Sequence, residues 1–145
     1  MIEEIDTLVH EVDENGAQFW CKKILHREDG PAVIYPYGEQ QWYLNGELHR
    51  TDGPAVICPN GEQEWYLNGI PHREDGPAII YPDGGERWYQ YGKFHREDGP
   101  AIIWASGSKH WYKNGELHRT DGPAVIHPDG KEEWWIDGIE RGPFT

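Results

Sequence analysis

The chain has 145 residues, with 26 acidic side chains against 13 basic ones and a net charge of −13. Such a field repels nucleic acid and anionic lipid heads and attracts basic surfaces. Eight Trp and eight Tyr stand beside three Phe and one Met, and 18 Gly and 11 Pro recur at fixed offsets, which points to many turns rather than to disorder.

The N-terminal run MIEEIDTLVHEVDENG is acidic and lacks the basic and apolar regions of a signal peptide. Residues 1–25 hold Glu3, Glu4, Asp6, Glu11, Asp13 and Glu14 against Lys22 and Lys23. No run of roughly 18 apolar residues is present to cross a membrane. Cys21 and Cys58 fall at unrelated positions, so no disulfide framework is visible. The expectation is a cytoplasmic protein (in the host cytoplasm, if viral). Leu8 to Val12 with the Glu14-Asn15-Gly16 turn reads as an irregular hairpin, and Phe19-Trp20 falls one period before Trp42-Tyr43. Residues 1–25 are therefore expected to form a degenerate capping hairpin.

Five His-Arg pairs, starting at His26, His49, His72, His95 and His118, then stand 23 residues apart without a slip. A fixed period of roughly 20–50 residues marks a solenoid or array. Within a unit, Pro31-Ala32-Val33-Ile34-Tyr35 is a short β-branched strand that stops at Pro36-Tyr37-Gly38. Pro presets φ, and Gly accepts the left-handed conformation that closes a three-residue hairpin loop. The return strand, Glu39 to Leu44, is rich in aromatics and ends at Asn45-Gly46, a second turn signal. Glu47 to Gly53 then leads to the next hairpin. Five such repeats fill residues 26–138, and 139–145 form a C-terminal cap in which Arg141-Gly142-Pro143-Phe144 begins another unit and stops. The expected fold is all-β: tandem 23-residue hairpins in one elongated, twisted antiparallel sheet, one structural domain overall.

The run Trp-Tyr-x-Asn-Gly, then His, Asp-Gly and Tyr-Pro-Asp-Gly, resembles the MORN repeat and its bacterial and viral variants, over residues 19 to 138. Two features depart from the family pattern. Asp-Gly-Pro-Ala replaces its Gly-x-Gly before the first strand, and its Tyr-x-Gly before the Trp is missing. The resemblance implies an extended antiparallel sheet of stacked hairpins. It also implies a function in scaffolding, dimerisation or, as in some members, membrane lipid contact. Variants similar to this chain occur in phage and in antitoxin-like bacterial proteins.

The five copies can be compared with one another. Gly30, Gly53, Gly76, Gly99 and Gly122, the Pro-Ala after each, the Trp42 column and the Ile34 column do not change. Side chains alternate along a strand, so Ala32, Ile34, Gln40, Trp42 and Leu44 share one face, read as structural. Val33, Tyr35, Glu39, Gln41 and Tyr43 share the other. That second face carries varying columns: Tyr35, Cys58, Tyr81, Trp104, His127; then Gln41, Glu64, Arg87, His110, Glu133; then Glu39, Glu62, Gly85, Ser108, Lys131. Beside them runs an aromatic ladder of Tyr43, Tyr66, Tyr89, Tyr112 and Trp135. Variation beside a constant aromatic floor fits a recognition surface. Drift of exposed positions is the other reading.

Catalytic chemistry finds little support. Equivalent residues in adjacent hairpins lie about 10 Å apart, at ~4.8 Å per strand, whereas two imidazoles on one zinc must each lie about 2 Å from it. The His column is therefore expected to be structural, with the Asp capping the Asp-Gly-Pro turn and the Arg lying along the preceding repeat. Ser106 and Ser108 stand outside any Gly-x-Ser-x-Gly elbow, and no Gly-rich loop precedes a helix. The expectation is a non-enzymatic protein-binding module without cofactor or metal. Its contact residues would be the aromatic ladder with Tyr35, Tyr81, Trp104, Glu39, Glu62, Glu64 and Arg87. The partner would be a protein with a basic, nucleic-acid-binding type of surface, occupied by an acidic inhibitor of the phage counter-defence or antitoxin kind. Direct nucleic-acid or membrane binding is not expected, and a homodimer stays open. The alternatives are a small-ligand binder using the ladder and a scaffold or dimerisation module.

Overall fold

Two turn chemistries alternate along the chain and set its geometry. At each Pro-x-Gly loop the two flanking residues close on each other: Tyr35 N–H donates to Glu39 O at 2.9 Å and Gly38 N–H to Tyr35 O at 3.0 Å. Gly38 sits at φ +104°, the left-handed region that glycine enters without a Cβ penalty. At each second turn both central residues are left-handed, Asn45 at φ 51° and Gly46 at φ 80°. That pair defines a two-residue type I′ loop, the tightest link between antiparallel strands.

A computed structural model describes residues 8–21 and 24–143. The expectations placed on Glu3, Glu4, Asp6, Lys22, Lys23 and Phe144 lie outside them. The described residues are all-β, without helix. The chain divides into two units, Met1–Ile70 and Pro71–Thr145. In unit 1 consecutive antiparallel strands follow the order Val9–Val12, Gln18–Cys21, Val33–Ile34, Gln40–Gln41, Val56–Ile57, Gln63–Glu64. In unit 2 the order is Ile79–Ile80, Glu86–Arg87, Ile102–Ile103, Lys109–His110, Val125–Ile126, Glu132–Ile136, Ile139–Arg141. The expected array of antiparallel hairpins is what each unit shows.

The return strand is not continuous, however. Gln40–Gln41 pairs within the sheet, but Tyr43–Leu44 leaves it and pairs with Glu47–Leu48 in a separate two-stranded ribbon. Each of the first four repeats thus makes two hairpins, one in the sheet and one beside it, whereas in the fifth Glu132–Ile136 runs unbroken between Val125–Ile126 and Ile139–Arg141. The hinge is the invariant Trp. Trp42 N–H donates to Ala55 O at 2.7 Å, and Trp42 O accepts from His49 N–H at 3.0 Å.

The loop of the next repeat packs on that hinge. Arg50 lies flat over the Trp42 ring, its guanidinium carbon 4.0 Å from the centroid. Its Nε donates to Asp52 Oδ1 at 2.9 Å and one terminal nitrogen to Pro54 O at 3.1 Å. A Cβ on Gly53 would come within 3.0 Å of that guanidinium. The Asp is therefore the partner of the Arg rather than a cap of the turn, and the Gly is invariant because an arginine lies on it. Arg27 over Trp20, Arg96 over Trp88 and Arg119 over Trp111 repeat the arrangement. As expected, each Arg lies on the preceding repeat.

Trp20, not Phe19, occupies the tryptophan position of the first unit. Trp20 N–H donates to Ala32 O, and Phe19 pairs with Val33 as Gln41 pairs with Val56. The N-terminal cap is therefore one residue shorter than the repeat register implied.

The core is built from small residues. The five invariant alanines are fully buried, and Val33, Val56, Ile102 and Val125 are nearly so. The valines lie on the second face, and the Ile34 column is only half-buried. The Trp/Ile face is thus not the sole structural one: Val33, paired with Gln41 across the strands, is buried on the second face.

Candidate functional site

Each second-face column places its members within one unit or the other, so the candidate site has two parts. In unit 1 lie Tyr35, Glu39, Tyr43, Glu62, Glu64 and Tyr66, all half-buried. Tyr43 OH donates to Gln41 Oε1 at 3.3 Å, and Gln41 Nε2 to Glu39 Oε1 at 2.7 Å. Tyr66 OH donates to Glu64 Oε2 at 2.8 Å. Tyr37, the variable residue of the Pro-x-Gly loop, joins them. It stacks on Tyr35 with ring centroids 5.3 Å apart and donates to Glu39 Oε2 at 3.1 Å. Its place at an exposed loop tip beside Tyr35 was the only sequence signal for it.

The three carboxylates are electrostatically crowded. Burial, then the charge of Glu64, pushes the Glu62 carboxyl above its ordinary value. Among the described residues no Lys, Arg or His forms an ion pair with Glu39, Glu62 or Glu64. Burial also raises the Cys58 thiol, and the neighbouring glutamates add to the effect. A thiol pushed in that direction is a poor nucleophile.

In unit 2 lie Tyr81, Arg87, Tyr89, Trp104, Tyr112 and Trp135. The rings of Tyr89, Tyr112 and Trp104 are linked through Phe94 and His110. Tyr89 stacks on Phe94 with centroids 4.4 Å apart, Phe94 meets Tyr112 at 5.2 Å, and His110 lies between Tyr112 and Trp104 at 6.5 and 6.4 Å. Arg87 covers Trp104 at 4.0 Å and faces Tyr81 at 5.2 Å. The five ladder residues are half-buried, and burial raises the Tyr43, Tyr89 and Tyr112 hydroxyls. Phe94 belongs to it through its pairing with Tyr89, a contact that needs the second hairpin and so escaped the sequence reading. Trp135 stands at the end of the column, its Nε1 donating to Glu133 Oε2 at 3.1 Å. His127 Nε2 lies 2.7 Å from Glu133 Oε1 and holds that carboxyl below its ordinary value, with Trp135 assisting.

The His-Arg loops do different work. His49 Nδ1 accepts the Asn68 N–H at 3.0 Å, and His26, His72, His95 and His118 accept from Asn45, Tyr91, Asn114 and Asp137 at 2.9–3.1 Å. Every donor is the first left-handed residue of the following type I′ turn. Among the described residues no group of three His, Cys, Asp or Glu side chains could hold a metal ion. A groove of ≈ 500 Å³ in unit 2 runs beside two of these loops, lined by Arg96, Asp98, Trp111, His118, Arg119 and Asp121. Its arginines are already engaged by aspartate and proline carbonyl.

No protein-family model and no curated protein matches the chain.

Proposed function

We propose that this protein is a MORN-like, non-enzymatic binding module that captures a protein partner with a basic surface through the sheet face of unit 1. The observation that carries the reading is the carboxylate cluster Glu39, Glu62 and Glu64, which stands among four tyrosines and, among the described residues, forms no ion pair with a cation. Burial and the charge of Glu64 hold Glu62 above its ordinary value, a local electrostatic strain that a cationic side chain from a partner relieves. Tyrosines half-buried beside such charges supply rigid, amphipathic contact area of the kind that dominates interface energetics. A surface with these charges imitates a nucleic-acid backbone, and that favours the inhibitor reading over a scaffold.

Two substitutions test it. Glu62→Lys with Glu64→Lys is expected to lower the association rate of the captured partner at least about tenfold while dissociation changes little, since rim charges act mainly on encounter. Tyr66→Ala is expected to act on dissociation instead, with a cost of about 2 kcal/mol or more. Equal capture by wild type and charge-reversed protein, at low and high salt alike, rejects the reading.

A further inference from the structure

Arg87 differs from the arginines of the repeat loops. Arg27, Arg50, Arg73, Arg96 and Arg119 each donate Nε to an aspartate two residues on. Arg87 stands on the sheet face, in the column occupied elsewhere by Gln41, Glu64, His110 and Glu133. One terminal nitrogen donates to Glu86 O at 2.9 Å and to Ile103 O at 3.0 Å. The plane rests on Trp104 and faces Tyr81. These contacts fix the guanidinium in place. Among the described residues, its other edge, formed by Nε and the second terminal nitrogen, has no hydrogen-bond partner. That edge is a pair of parallel donors, the arrangement that matches a carboxylate in bidentate fashion. Trp104 beside it is 44% exposed, although tryptophan at a structural position is ordinarily well covered.

We infer that the Arg87–Trp104 corner of unit 2 is a binding site for a small aromatic carboxylate, its carboxylate held by the free Arg87 edge and its ring packed against Trp104. The site belongs to unit 2 and is opposite in charge preference to the carboxylate cluster of unit 1. A single negative charge suits it. Burial, then the charge of His127, keeps the neighbouring His110 imidazole below its ordinary value. Unit 2 also carries the milder field, with 13 acids against 9 bases, where unit 1 has 13 against 4. A stacked arginine with two fixed contacts loses little freedom on binding, which favours even a small ligand. The free edge also fits a phosphate oxygen pair, so a phosphate ester is the competing source of the anion.

The test is an NMR titration that follows the Arg87 Nε–H and Trp104 Nε1–H signals of the full chain, with indole-3-carboxylate as probe. Acetate, indole and adenosine monophosphate are run in parallel. Indole-3-carboxylate is expected to shift both signals and to bind at least about tenfold more tightly than acetate or indole alone. Arg87→Gln and Trp104→Tyr borrow residues that sister repeats carry at the same places, Gln41 and Tyr35, so the fold is retained. Arg87→Gln is expected to weaken binding about tenfold or more, and Trp104→Tyr by less. An unshifted pair of signals, or unchanged affinity in Arg87→Gln, overturns the site. Tighter binding of adenosine monophosphate than of indole-3-carboxylate overturns the carboxylate assignment.

Discussion

Tyr91 stands where the other repeats place Asn45, Asn68, Asn114 or Asp137, at φ 49°. Asn and Asp tolerate the left-handed region because their short polar side chains bond locally, whereas a bulky aromatic is strained there. Tyr91 is 73% exposed and gains only a tilted ring contact with His72 at 4.4 Å. Tyr91→Asn is therefore expected to stabilise the fold by about 0.5–1 kcal/mol, seen as a rise of a few degrees in melting temperature. A fall would contradict the strain. His72→Ala removes the acceptor of the Tyr91 N–H and is expected to cost about 1–2 kcal/mol by the same melt. The loop aspartates set the acid limit. The hydrogen bond and charge of the neighbouring arginine hold Asp29, Asp52, Asp75, Asp98 and Asp121 below their ordinary value. A carboxylate lowered on folding adds stability that is complete above its unfolded pKa and is lost as pH falls through the folded one. Stability is thus expected to decline below about pH 4, and Asp98→Asn to flatten that decline. An acid melt unaffected by Asp98→Asn would remove the aspartates from the explanation.

At the scale of the repeat, the arginine, the glycine beneath it and the tryptophan below form one interlocking element. A Cβ on Gly99 would meet the Arg96 guanidinium carbon at 2.9 Å, closer than real Cβ contacts come. Gly99→Ala is expected to destabilise by about 1–3 kcal/mol through that overlap, and to cost clearly less in an Arg96→Ala background. A double-mutant cycle on the urea midpoint measures this. Additive effects would mean that the glycine is invariant for another reason. Much of this element was legible in the sequence. Both turn types follow from Pro-x-Gly and Asn-Gly, because those residues supply the required φ values. The break at Trp42 was not legible, since Glu39 to Leu44 reads as one unbroken strand. At that break Arg50, delivered from the next repeat with no local signature, covers the Trp42 ring. The one-residue shortening between Trp20 and His26, against the spacing of Trp42 and His49, was hidden as well. The pairings of Trp20 with Ala32 and of Phe19 with Val33 set that register.

Over the whole chain, the charge is unevenly distributed, and the candidate site follows that unevenness. Unit 1 carries a net −9, with 13 acids and 4 bases, and unit 2 a net −4, with 13 acids and 9 bases. The alternation of faces was legible from the period of two along each strand, and it placed the twelve candidate residues on one side of their strands. Their division into an acidic group around Glu62 and an aromatic group around Arg87 needed the contacts across strands. Glu62 is raised above its ordinary value in the folded state, so its ionised form opposes folding at neutral pH and the opposition fades as pH falls through the folded value. Glu62→Gln is therefore expected to raise the melting temperature slightly at pH 7 and to leave it unchanged near pH 4. A lower melting temperature at pH 7 would mean that Glu62 is held by favourable contacts. The most direct measurement is the association rate of the captured partner with wild type and with Glu62→Lys/Glu64→Lys across a salt series. The expected result is a steep fall with salt for wild type, as charges beyond the ~8 Å Debye length at physiological ionic strength are screened, and a slow, nearly salt-independent rate for the reversed protein. Rates that coincide at every salt concentration would contradict a recognition surface built on these carboxylates.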